Sequence, residues 1–127
     1  MRNRAALLLC LLPCVLLDAH AQSAQGLSAT LNLKLMHGGA IVQGRVSVPK
    51  SDDLVGVWSS IGRGRLMKCA PRCEVVDSVP VQGNLLLGSD SGYRVVLGGH
   101  LTAGQKISLV LRLRGGLILN VTASVMR

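Results

Sequence analysis

Cys69 and Cys73 stand in "RLMKCAPRCEVVD", with three residues between them, Met67 just upstream and Lys68 and Arg72 alongside. Two thiols and a thioether in one short stretch permit three kinds of chemistry. Thiolate and thioether sulfur are the ligands that soft Cu(I) prefers, and nearby cations favour the thiolate form. The same pair can act as a redox dithiol. It can also close as a disulfide, the usual fate of cysteines in an oxidising compartment. A bridge requires the two Cα atoms to lie within about 7 Å of each other, and constraining so short a loop is worth roughly 2 kcal/mol. Pro71 supplies a turn between them. The spacing leaves disulfide, metal clip and redox pair open, and a reducible bridge that gates metal loading combines two of these.

Other donors are few. Met36 and His37 precede Gly38-Gly39, and His100 follows Gly98-Gly99. Neutral imidazole is a common metal ligand, so His37 and His100 join Met67 behind the cysteine pair. No catalytic constellation accompanies them. Neither histidine sits in a nucleophile motif, no carboxylate pair is spaced for glycoside hydrolysis, and no Gly-rich phosphate loop opens a helix. A non-enzyme is expected.

The compartment is written at the start of the chain. Arg2 and Arg4 precede an apolar run from Ala5 to Leu17, then Ala19-His20-Ala21. This is the layout of a secretory signal peptide, residues 1–21, cut after Ala21. The apolar run is shorter than the ~20 residues of a permanent span, so the mature chain, residues 22–127, carries no stable membrane span. Cys10 and Cys14 leave with the leader. The location expected is periplasmic or secreted.

The mature chain suits one domain with one core. With Arg2, Arg4 and Asp18 removed it has twelve basic side chains against five acidic ones. Such a balance favours anionic surfaces or acidic partners. Nucleic acid is not expected, because Trp58 and Tyr93 are the only aromatics and supply no stacking platform.

The elements that must position the sulfurs are strands. In "KISLVLRLR" Ile107, Leu109, Leu111 and Leu113 alternate with Ser108, Val110, Arg112 and Arg114. In "LILNVTASV" Leu117, Leu119, Val121, Ala123 and Val125 alternate with Ile118, Asn120, Thr122 and Ser124. Alternation puts one face on a core and the other toward water. Gly115-Gly116 between the two runs reads as a hairpin turn. "LSATLNLKLM", "IVQGRVSV", "LVGVWSS", "RLMKC", "EVVDSVPV", "NLLLG" and "YRVVLGG" are further strand candidates, separated by Gly, Pro, Asp and Ser breakers. Eight to nine short strands predict an all-β fold, an antiparallel β-sandwich with an aliphatic core.

From about Gly39 to Val125 the chain resembles the PCu(A)C-type periplasmic copper chaperones. The resemblance rests on the order of "DDLVGVWSS", "CEVVDSVPV", "GYRVVLGGHLTAGQKISLVLRL" and the closing "LILNVTASV". It implies a cupredoxin-like β-sandwich that carries Cu(I) to the binuclear CuA site of a cytochrome oxidase subunit, or to another periplasmic copper protein. The family binds copper through a His and Met on one side, a middle Met, and a His-x-Met pair after Gly-Tyr. Here "GYRVVL" places Arg94 and Val96 at that last pair. Arginine is a charged donor with no lone pair to offer, and valine has none. Cys73 falls about where the middle Met would stand, and Met67 or Cys69 near the first His and Met. The expected ligands are therefore Cys69, Cys73, Met67, His37 and His100, and the expected cargo is copper as Cu(I). The alternative is a metal-free structural or interaction module of the same fold, stapled by a Cys69–Cys73 disulfide.

Overall fold

The computed structural model describes residues 26–70 and 72–127. The expected signal peptide and its cleavage point lie outside the described residues. Eleven strands follow one another: β1 (Ser28–Met36), β2 (Gly39–Ser47), β3 (Asp52–Ser59), β4 (Gly62–Arg63), β5 (Arg65–Cys69), β6 (Cys73–Val75), β7 (Val79–Val81), β8 (Asn84–Leu87), β9 (Tyr93–Gly98), β10 (Lys106–Leu113) and β11 (Ile118–Met126). They hydrogen-bond in the order β4-β3-β10-β11-β1-β2-β9-β5-β6, with β7 added to β3 and β8 to β2.

The alternation read from the sequence holds along β10 and, from Leu119 to Val125, along β11, but Leu117, expected on the core face, precedes β11 and is exposed. Ile107, Leu109, Leu111 and Leu113 are all buried, and Ser108 and Arg112 face solvent. The Gly115-Gly116 turn is made: the Gly116 N–H donates to Leu113 O at 3.0 Å, and Gly116 has φ 102°. Asp52 braces this turn by accepting from the Gly115 N–H at 3.1 Å. The core is wholly aliphatic and runs from Leu31 and Leu33 through Leu54, Val79, Val95 and Leu97 to Val125.

Two details go beyond the sequence reading. The pairing is antiparallel except at one seam, where β1 runs parallel to β11 in the register Asn32↔Ser124, Leu33↔Val125, Lys34↔Met126. This pairing joins the two ends of the described chain, so no local pattern announces it. The "EVVDSVPV" run is also two strands. Its first part pairs with β5 at one end of the strand order, and its second part pairs with β3 at the other. Asp77 and Ser78 fall in the crossing.

A second crossing occurs at Gly64, between β4 and β5. The Gly64 N–H donates to Val57 O of β3 at 2.7 Å, while its α-carbon lies against β9. A Cβ there would sit 2.9 Å from Val95 Cγ1 and 3.3 Å from Leu97 Cδ2. Here the curled sheet closes on itself into two packed layers. Nearby, Trp58 covers Gly56, and the Arg63 guanidinium lies 5.3 Å from the indole centroid.

Gly64→Ala should therefore overpack the closure and lower stability by about 1–3 kcal/mol, measured by urea unfolding. If the two side chains compete for one space, the double variant with Val95→Ala should lose less stability than the sum of the two single losses.

Candidate functional site

β5 lies between β6 and β9, and its register decides what meets what. Met67 stands opposite Val75 on one side and Arg94 on the other, and Arg65 stands opposite Val96. Successive residues of a strand face opposite ways, so Arg65, Met67 and Cys69 share the outer face with Arg94 and Val96. Val95, Leu97 and Leu66 turn into the core.

Cys69 and Cys73 are directly opposite each other across the β5–β6 hairpin, with Cα atoms 3.8 Å apart, and they are joined as a disulfide. Cys73 is exposed and Cys69 half-buried. The Cys69 N–H donates to Gly92 O at 2.7 Å, tying the hairpin to the start of β9. The bridge closes the tip of an edge hairpin, away from the main core. Met67 is half-buried, two residues before Cys69 and on the same face.

His37 and His100 are elsewhere. His37 lies in the β1–β2 turn, and His100 just beyond the end of β9. The Gly99 N–H donates to Gly38 O at 3.2 Å, so the two exposed histidines flank one backbone hydrogen bond, with Met36 beside them. The sulfur hairpin meets β9 at Gly92 and the histidines meet it at Gly99. At about 3.3 Å per residue that separation is roughly 20 Å or more. The five candidate ligands thus form two groups at opposite ends of one strand. Among the described residues no three His, Cys, Asp or Glu side chains gather into a single cluster.

Between the two groups sits Arg94. Its Nη2 donates to Ser89 O at 2.8 Å, and its Nε is buried without a partner. Gln43 lies on the neighbouring strand, and its Nε2 reaches Ser89 Oγ at 3.5 Å. Asn32 is opposite Gln43, and its Oδ1 is also buried and unpartnered. A polar row, Asn32–Gln43–Arg94–Met67, therefore crosses the outer face. The sequence reading missed Asn32 and Gln43. The signal was present in their position, since each interrupts a strand whose neighbours are mostly apolar.

No protein-family model matches the sequence, and no curated protein matches it. Solved structures do. The Cu(I)-bound solution structure of DR1885 from Deinococcus radiodurans superposes with a TM-score of 0.64 at 22% identity, covering 86% of this chain and 85% of that one. The apo PCuAC domain of PmoF2 superposes at 0.61 and 17% identity, covering 80% of this chain and 94% of that one.

The fold is that of a PCuAC domain.

On this PCuAC fold, Arg94 and Val96 occupy the positions where the resemblance places a His-x-Met pair, and neither side chain offers a lone pair to a metal. The site as the family builds it does not fit copper here. On the neighbouring hairpin, Cys69 and Cys73 are joined as a disulfide.

Because the bridge spans an exposed edge hairpin, Cys69→Ser with Cys73→Ser should leave the domain folded. Its unfolding free energy should fall by no more than about 2 kcal/mol, with far-UV circular dichroism unchanged.

Proposed function

We propose that this protein is an exported copper carrier that holds Cu(I) at the tip of the β5–β6 hairpin. The observation that carries this reading is the placement of Cys69 directly across from Cys73 at an accessible tip, with Met67 on the same face. The likeness to a Cu(I)-bound protein of the same fold supports it.

The bridge must first open. A dithiol reductant gives two electrons and two protons to the disulfide and itself becomes a disulfide, leaving Cys69 and Cys73 as thiols. Binding Cu(I) then displaces their protons. Soft sulfur ligands suit the monovalent ion. Exposure of Cys73 allows an acceptor's ligands to replace these thiolates one at a time. The recipient is a periplasmic copper protein, and the resemblance points to the CuA-bearing subunit of cytochrome oxidase. The closed bridge is the unloaded, oxidised form.

A second reading has its own observation. The closed disulfide and the Arg94 guanidinium on the same face suit a metal-free interaction module, with the bridge as a staple and the basic face as the contact. Among the described residues, Arg114 and Asp53, 3.1 Å apart, form the one ion pair. The cations of the outer face are therefore not neutralised by another described side chain.

A Cu(I) titration of the reduced protein against a chromogenic chelator separates the two. The carrier takes about one tight equivalent through soft-ligand binding, and Cys69→Ser and Cys73→Ser each abolish it. No competition by reduced wild type leaves the metal-free module. A complementary variant tests the role of Arg94. Arg94→His with Val96→Met should restore a His-x-Met pair and give Cu(I) uptake that persists in the oxidised protein. If the oxidised variant takes up no more copper than oxidised wild type, the β9 face is not the vacated ligand position.

A further inference from the structure

β6 is the last strand in the hydrogen-bonding order, and among the described residues it pairs only with β5. Cys73, Glu74 and Val75 are all exposed. Register settles which way their backbone groups point. The Cys69 N–H donates to Gly92 O, on the β9 side, so it faces away from β6. In an antiparallel ladder, opposed residues turn their polar backbone groups toward each other or away together. Cys69↔Cys73 is therefore a pair of the second kind, and so is Met67↔Val75, two residues along. The Val76 N–H, which donates to Leu66 O at 2.9 Å, follows the same parity. The N–H and C=O groups of Cys73 and Val75 consequently point off the free edge, where no described strand meets them. Such an edge is a template for an incoming extended segment.

The bridge ends on that same edge. It runs from β5 to β6, with Cys73 exposed and Cys69 half-buried beside Gly92. Exchange begins when a thiolate attacks one of the two sulfurs, and access selects which. The attacker approaches from the side opposite the bond it breaks. For Cys73 that is the side away from β5, toward the open edge. For Cys69 it is the side toward β9, which is held against β5 in the register Lys68↔Tyr93 and Met67↔Arg94.

We propose that β6 is the docking strand for a dithiol protein reductant, which lays an extended segment along this edge and attacks Cys73 rather than Cys69. The reductant's thiolate forms a bond to Cys73 Sγ, and the Cys69–Cys73 bond breaks. Its electron pair leaves on Cys69 Sγ, which takes a proton from water. The reductant's second thiolate then attacks its own partner sulfur in the mixed disulfide and releases Cys73 as a thiolate. The bridge gains two electrons and the reductant is left as a disulfide. Cys69 stays in place throughout, because its N–H is bonded to β9 and not to the edge strand. The proposal rests on the carrier reading for its purpose, since opening the bridge frees both thiols for Cu(I), but no copper takes part in the step.

The test uses the metal-free oxidised protein, so its outcome is independent of the copper titration. The protein is mixed with thioredoxin whose resolving cysteine is replaced by Ser, quenched in acid at early times, digested and mapped by mass spectrometry. A parallel arm uses glutathione. In both arms the adduct on Cys73 should exceed that on Cys69 by about tenfold, as access dictates. Val75→Pro removes one outward N–H, a change that an edge strand tolerates. It should slow trapping by thioredoxin by about tenfold, the loss of roughly one hydrogen bond. Its reaction with glutathione, which needs no strand pairing, should stay within about twofold of wild type. Adducts on Cys69 equal to or above those on Cys73 would overturn the order of attack. Equal effects of Val75→Pro on the two reagents would overturn the docking strand.

Discussion

The antiparallel pairing of β5 with β9 is the constraint on which the outer face depends. It sets Met67 opposite Arg94 and Arg65 opposite Val96, and it leaves the cysteines at the end of the ladder beside Gly92. A slip of one residue would turn all of these inward and bring Leu66 and Val95 to the surface. The core opposes such a slip, since Leu66, Val95 and Leu97 are buried in it. Packing on one face thus fixes chemistry on the other. The result is a fixed positive charge in the middle of that face, where a second cation is repelled.

This separation of faces also accounts for a shared fold at low identity. Volume and alternation of the aliphatic layer specify the two packed layers, and many sequences satisfy them. The outer residues carry little of that burden and are free to differ. A PCuAC-like fold at 22% identity is therefore compatible with a different set of side chains at the ligand positions, and function has to be argued from those side chains.

Most strands were legible because their periodicity is local. "RLMKC" coincides with β5, and the runs that became β10 and β11 lie within a residue or two of their observed ends. What stayed hidden is non-local. The parallel β1–β11 seam joins distant segments, and the two-residue β4 is too short to show a period. The division of "EVVDSVPV" depends on a switch of partners rather than on composition. At the site, spacing alone left the cysteines undecided between bridge, metal clip and redox pair. The hairpin register supplied what spacing lacked, by placing the two Cα atoms opposite each other. The same register shows that the histidines and the sulfurs lie at opposite ends of β9. No reading of residue types could have measured that distance.

The aliphatic core has an optical corollary. The chain has no Phe, a single Trp and a single Tyr, and the indole sits at the β3–β4 edge over Gly56 and under Arg63. Emission from Trp58 therefore reports on that rim of the sheet. The buried layer of Val, Leu and Ile is dark in the near ultraviolet. A denaturation curve followed by Trp58 emission records when the rim loosens, whereas Tyr93, packed against the aliphatic core, is the ring that reports on the interior.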